Sequence, residues 1–355
     1  MESENIEVLI IGAGLSGLTL GYLLSKAGVS FRIVEARDRI GGRILTLGAK
    51  DKAPLEMGAT WLGTKHKSLI SLLDELELPT FKQELGHKAI YEPMSINPHQ
   101  IVELPANNDP SYRIVGGTST LINKLFHEID ANNIYLNEAV KKITLKSEEL
   151  LISTSNKTIT AKKVVSTIPP YLFYQNVITE PKLTDDILNV LASTYTWMGD
   201  SIKVALSFDH PFWRTQNLSG TIFSNVGPIP EMYDHSNSED SQFALKGFLN
   251  GNYFSYSKEQ RLELILNQLR KYYGSKIDSY KKYAETVWRL EKYTFTPYEE
   301  HILPHQNNGH QLYQDSYLNN SLFFSGAETA TMFPGYMDGA VSSAQYLANQ
   351  IVVGS

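Results

Sequence analysis

Residues 6–11, IEVLII, are an unbroken apolar and β-branched run. A strand buried on both faces of a parallel sheet has this pattern. Residues 15–27 then read as a helix ended by Gly28, and VSFRIV (29–34) is a second strand, so the chain opens as strand, helix, strand. Short β-rich runs between 140 and 168 are separated by the polar stretches KSEE and SNK, which predicts a meander. In IKVALSF (202–208), Ile202, Val204, Leu206 and Phe208 alternate onto one face of a strand and Lys203 points to the other. Residues 258–274 predict an amphipathic helix with Leu262, Ile265, Leu266 and Leu269 on one face and Gly274 as its stop. A last helix, opening around Met337, carries Ala340, Ala344, Leu347, Ala348 and Ile351 at helical spacing. VGPIPEMYDHSNSEDSQ (226–242) reads as a polar loop, and no internal repeat is found.

Composition narrows the function classes. The 355 residues are 42% hydrophobic and 20% charged, which suits one large or two interleaved soluble domains. The net charge of −6 and the lack of a basic run argue against a nucleic-acid surface. The acidic start MESENIEVLIIGAG is unlike a secretory signal, and no run approaches a membrane span. The expectation is a cytoplasmic chain without a membrane partner, with homodimer formation left open. With no cysteine, disulfides, thiolate chemistry and cysteine–metal sites are excluded. The nine histidines have no metal spacing, and no Ser-His-Asp arrangement emerges.

Between the first strand and helix lie Gly12, Gly14 and Gly17 in G-x-G-x-x-G spacing, and Glu35 ends the second strand. Gly12 allows the tight turn, Gly14 lets a pyrophosphate approach the backbone, and Gly17 lets helix and strand pack closely. The helix N-terminus offers unpaired N–H groups and a positive dipole end to phosphates. Glu35 can accept hydrogen bonds from a ribose, and its charge disfavours a 2′-phosphate, so NAD or FAD is expected rather than NADP. A βαβ unit without a ligand would not need an acid at that strand end. The continuation EARDRIGGR, with Gly42 and Arg43, is similar to the extended fingerprint of two-dinucleotide-binding-domain flavoproteins, in which such an arginine approaches the FAD pyrophosphate.

At intervals the chain resembles the flavin-containing amine oxidase family of monoamine, polyamine and L-amino-acid oxidases. PLEMGATWLG (54–63) is similar to the segment under the flavin, and VGGTSTLINKL (115–125) to a Gly-Gly helix start. KKVVSTIPP (162–170) matches a returning strand with a Pro-Pro turn, and SIKVALSFDHPFW (201–213) the strand with an active-site lysine. FFSGAETATMFPGYMDGAV (323–341) matches the C-terminal flavin motif closely. The implied fold is α/β: a Rossmann-like FAD domain with an interleaved, mixed-sheet α+β substrate domain. The implied division is 1–80, 113–193 and 292–355 for FAD, and 81–112 and 194–291 for substrate. One departure is large. Only 84–115 separate Gln83 from Gly116, where the family carries a longer helical cover over its substrate cavity.

The resemblance implies an enzyme that oxidises a small-molecule amine by hydride transfer to FAD, with O2 as acceptor. It assigns to FAD the residues Gly12, Gly14, Ser16, Gly17, Glu35, Ala36, Arg37, Gly42, Arg43, Gly58, Ala59, Thr60, Trp61, Val140, Gly326, Glu328 and Met337. Glu328 is expected near the ribityl and phosphate part, and the helix start at Met337 near the flavin pyrimidine ring. Lys203, by spacing alone a solvated strand lysine, becomes the residue beside flavin N5 that favours oxygen reduction. Tyr336, in a Phe-Pro-Gly-Tyr-Met turn where an aromatic is often mere packing, becomes one wall of an aromatic cage. Tyr293 is the expected second wall, with Tyr298 and Trp288 as rivals. Lys292 stands where some members carry a flavin-linking cysteine, so FAD is expected to be non-covalent. The alternatives are a desaturase or dehydrogenase with another acceptor, and a flavin-bound interaction protein without turnover. Arg113, Arg214 and Arg289 are considered as carboxylate clamps, and Glu231, Asp234 and Glu239 as partners for a second amine.

Overall fold

The apolar run Ile6–Ile11 lies at the centre of an eight-stranded sheet. The structure, a computed structural model, describes residues 6–48 and 53–353, so the acidic start of the chain lies outside it. Ile6–Ile11 pairs in parallel with Phe31–Val34 on one side and Thr158–Ser166 on the other. Ile134–Tyr135 and Leu322–Phe324 extend this parallel core. Its strands are apolar throughout because both faces are covered: Val8, Leu9, Ile10 and Ile33 are wholly buried. The helices Leu15–Lys26, Lys67–Glu75 and Met337–Val353 pack together on one face. Pro170–Asn176 and Asp185–Ala192 pack on the other. The predicted meander is Lys142–Lys146, Glu149–Ser153 and the first half of Thr158–Ser166, paired antiparallel.

A seven-stranded sheet forms the second unit, in the order Lys282–Val287, Ile202–Phe208, Phe243–Leu249, Glu231–Asp234, Ile222–Ser224, Lys88–Glu92, Gln100–Glu103. The alternation in 202–208 decides its two faces. Ile202, Val204, Leu206 and Phe208 join Trp213 and the helix Lys258–Tyr273 in one core. That helix starts on a capping box, Ser257 with Gln260. On the opposite face, Ala205, Ala244 and Ala284 allow the sheet to approach Ala53, Leu55 and Met57. This small-residue contact brings the strand lysine beside the segment that begins at Gly58.

One expectation changes, and the shortened segment takes a definite form. The polar stretch 226–242 contains a strand, Glu231–Asp234, paired on both sides within the sheet. Its short alternation, Met232 and Asp234 inward against Glu231 and Tyr233 half-buried, was hidden by flanking polar residues. The short 84–115 segment holds strands rather than a helical cover: the hairpin Lys88–Glu92/Gln100–Glu103 and Tyr112–Ile114, which pairs with Thr80–Lys82. Among the described residues no helix is long and apolar enough to cross a membrane.

Candidate active site

The parallel strands Ile6–Ile11, Phe31–Val34, Thr158–Ser166 and Leu322–Phe324 end together, and the loops that follow them line a cavity of about 580 Å³. Crevices outside the carboxyl ends of parallel strands are where such sheets bind ligands. The far wall comes from the second sheet, through Lys203, Glu231 and Phe248. Every site residue read from the sequence lines this one cavity except Gly17, Gly326 and Glu328.

The nucleotide end is built for an anionic ligand. Gly12 has a φ of +104°, a left-handed turn that side chains avoid, and an added Cβ would meet Thr167 Oγ1 at 2.9 Å. A Cβ on Gly14 would meet only the Gly42 Cα, at 4.0 Å, so bare backbone borders the cavity. Gly17 acts one layer back: its Cβ would lie 2.0 Å from the Gly12 carbonyl oxygen, so glycine alone lets the helix sit on the turn. The helix Leu15–Lys26 has no side-chain cap, which leaves its leading amides and dipole for a ligand. The carboxylate of Glu35 is fixed by the amides of Ala13 (2.8 Å) and Arg37 (2.9 Å). Arg37 donates to Thr294 Oγ1 at 2.7 Å, and its Nε stands 3.5 Å from Glu291 Oε2. These features fit a dinucleotide held along Gly12–Gly14, Glu35 and Arg43.

Glu328 does not itself line the cavity. It is 1% exposed and sits behind the cavity, where both oxygens accept from Arg43, at 2.5 and 2.8 Å. Burial would lower the Arg43 guanidinium, but Glu328 outweighs it and raises it above its ordinary value. Arg43 also donates to the Trp197 carbonyl at 3.2 Å. Glu328 therefore acts on the cavity through Arg43, whose fork it holds. Gly326 likewise serves a close approach of two loops, with φ +131° and an added Cβ 3.3 Å from the Thr167 carbonyl.

At the other end Lys203 is 6% exposed and donates to the Gly58 carbonyl at 2.5 Å. Burial pushes its amine down to about 8, against the pull of Glu56 and Glu231. Tyr336 lines the cavity just before Met337–Val353, in contact with Trp197 (6.0 Å between ring centroids) and His66 (5.7 Å). Tyr293 lines it from another side, between Arg37 (5.7 Å) and Lys292 (4.6 Å). Of its rivals, Tyr298 is tied to the Thr196 amide and stands outside, whereas Trp288 contributes to the wall and donates to the Met57 carbonyl. The three arginines considered as carboxylate clamps are elsewhere: Arg113 against His235, Arg214 against Asp234 and Asp240, Arg289 over Phe254. Asp234 is taken up by Trp213 and Arg214.

Two residues here are absent from the sequence reading, Trp197 and Lys246, and a third, Glu231, is a sequence candidate that the fold now locates. Trp197 stacks on His305 at 4.1 Å and faces Tyr336; nothing in the surrounding stretch STYTWMGDS (193–201) marks it as a wall, since it acts across the fold. Glu231 was assigned to a loop, and its position on a strand puts it in the cavity wall. Lys246 is wholly buried, and its alternation with Ala244 and Phe248 on one strand face was the available signal.

Comparison with known proteins places the chain in a family. The sequence profile described as "Flavin containing amine oxidoreductase" matches residues 15–102 and 99–352, two blocks that meet inside the shortened segment. A probable flavin-containing monoamine oxidase A of Dictyostelium discoideum is 24% identical over 453 aligned positions, covering 97% of each chain. The flavin-containing amine oxidase B of Homo sapiens is 22% identical, covering 99% of this chain and 86% of the human one. Both alignments are longer than this chain's 355 residues, so the relatives carry residues it lacks. Among solved structures, a putrescine oxidase bound to putrescine shares the fold with a TM-score of 0.84 at 23% identity, covering 99% of this chain and 100% of that one. The cyclohexylamine oxidase of Brevibacterium oxydans does so with 0.85 at 18%, covering 99% of each. The chain belongs to the flavin-containing amine oxidoreductases and is an FAD-dependent oxidoreductase of amines.

Proposed function

We propose that this enzyme is an oxidase that converts an amine, O2 and water into a carbonyl compound, the released amine or ammonia, and hydrogen peroxide. One observation carries the reading: Lys203, Tyr293 and Tyr336, from three distant segments, line the same cavity as the glycine turn and Glu35. When bound, FAD supplies the acceptor for the hydride equivalents of the amine α-carbon. Tyr336 and Tyr293 present π-faces that orient a neutral amine and attract the positive charge developing on its nitrogen. No carboxylate base is required, because the nitrogen lone pair assists the departing hydride. The Met337–Val353 helix start favours negative charge at the cavity's inner end, and Lys203 supplies a positive charge for oxygen reduction.

Two features bear on the substrate. The arginines of the cavity, Arg37 and Arg43, belong to its nucleotide end, so among the described residues no arginine is left in the lining to clamp an α-carboxylate beside Tyr336. Tyr233 donates to Glu231 Oε2 at 2.9 Å and leaves Oε1 without a hydrogen bond among the described residues. A second cationic group on the substrate would meet this carboxylate, which favours diamines. The structurally similar putrescine oxidase was solved with such a ligand.

The test is peroxide release from purified protein over monoamines, diamines and α-amino acids. Release from amines, with diamines ahead and amino acids inert, is expected. Flavin bleached by an amine but reoxidised slowly in air would replace O2 by another acceptor. Flavin bleached by none of them would sink the reading.

A further inference from the structure

Behind the cavity wall lies a second buried lysine that the chemistry above leaves unused. Lys203 and Lys246 occupy neighbouring antiparallel strands, in a register that pairs Lys203 with Phe248 and Ala205 with Lys246. Both side chains therefore lie on the sheet face turned towards residues 55–61. There they meet one short piece of chain. Lys203 donates to the Gly58 carbonyl. Lys246 donates to Thr60 Oγ1, and the Thr60 hydroxyl donates onward to the same Gly58 carbonyl at 3.1 Å. The Lys246 nitrogen also sits 4.2 Å from the centre of the Trp61 ring. Trp61 is held at its other edges by Gln83, which accepts from the indole N–H at 3.2 Å, and by Tyr233, edge-on at 5.6 Å. Thr60 and Trp61 line the cavity; Lys246 is 0% exposed and does not.

We propose that Lys246 is a positioning residue of the amine site: through Thr60 and the face of Trp61 it fixes the strip Gly58–Trp61 that forms one wall. An apolar side chain would fill this interior position more cheaply, since a lysine there gives up its hydration and its rotamer freedom. Among the described residues its one hydrogen bond goes to the wall. The charges facing it are Lys203 and Arg113, which repel a proton on its nitrogen, and Glu56 and Glu231, which attract one. Burial and Lys203 prevail and push Lys246 well below its ordinary value. Replacing it with methionine removes a donor and a ring contact. The tie to amine kinetics rests on the proposed function; the contact itself does not.

The experiment is a double-mutant cycle of Lys246→Met with Trp61→Phe, with Thr60→Val as a second route to the same contact. Two readouts are taken after FAD content and melting temperature confirm a folded holoenzyme. One is tryptophan emission of the holoenzyme, with the Trp61 contribution taken by difference from Trp61→Phe. The other is the split between KM and kcat for the best amine. Lys246→Met should alter the Trp61 emission and raise KM about fivefold, the factor a typical hydrogen bond is worth, with kcat little changed, and Thr60→Val should alter the same emission. In the Trp61→Phe background the KM effect of Lys246→Met should fall below its full size, because the Thr60 route alone remains. Unaltered Trp61 emission in both variants, or a KM effect of full size without Trp61, overturns the proposal. If no amine reduces the flavin, the functional reading fails, and the emission cycle still decides the role of Lys246. If Lys246→Met does not fold, Thr60→Val decides it.

Discussion

Replacing Lys203 with methionine, and varying pH around the unaltered lysine, probe the oxygen step from two directions. The second sheet carries the Lys203 amine into the cavity wall, and burial there lowers it from 10.5 to about 8. At pH 7 about ten in eleven molecules then carry the proton, and at pH 9 about one in eleven. If the charged form is what assists oxygen, reoxidation should fall by about tenfold between those pH values. The assay avoids the substrate: enzyme reduced anaerobically with dithionite is mixed with oxygenated buffer in a stopped-flow instrument from pH 6 to 10. Lys203→Met should give a slow rate with no inflection near pH 8. The amine half-reaction, recorded separately, should rise with pH as the free amine loses its proton, so the two halves separate cleanly. A reoxidation rate that is level across pH 7–9, or a Lys203→Met curve that overlays the parent, would refute the reasoning.

The same burial has a cost in stability. Between pH 8 and 10.5 the unfolded lysine keeps a proton that the folded one has released, so the unfolded chain binds more protons and stability rises with pH. Lys203→Met should therefore be more stable than the parent at pH 7, by on the order of 2 kcal/mol once the lost Gly58 hydrogen bond is deducted. That advantage should shrink towards pH 10.5 in thermal melts. Glu328→Gln leaves Arg43, partly exposed at 25% of its side chain, without its bidentate partner. It should lose about 3 kcal/mol and weaken FAD retention, read by melting temperature and by flavin released on dialysis. Glu231→Gln should raise KM for diamines about tenfold and leave monoamines within about twofold, measured by peroxide release.

Local patterns carried the nucleotide half. The run IEVLII, the three glycines and Glu35 occupy one continuous strand–helix–strand unit, and its strands, turn and helix form as that pattern requires. The alternation in 202–208 also told which face of its strand Lys203 would take. What escaped were contacts that no window of sequence contains. Arg43 and Glu328 lie 285 positions apart, and their pairing sets Glu328 one layer behind the cavity wall. Trp197, rather than Tyr293, makes the ring contact with Tyr336, because the loop before Ile202–Phe208 folds back over the last helix start. Lys246 looks like any strand lysine until Thr60 and Trp61 are brought to it by the packing of Ala205, Ala244 and Ala284 on Met57. Glu231 was hidden for a different reason: the polar stretch around its strand suppressed the alternation that defines it.

The central claim is that one cavity holds FAD and an amine together. The most direct measurement is an anaerobic visible titration of the purified protein with a diamine. The account predicts a yellow protein whose flavin band bleaches with one amine oxidised per flavin, returns on admitting air, and is lost together with the cofactor when Gly12→Val fills the glycine turn. A protein that stays colourless after reconstitution with FAD, or a flavin that no amine bleaches, would contradict it.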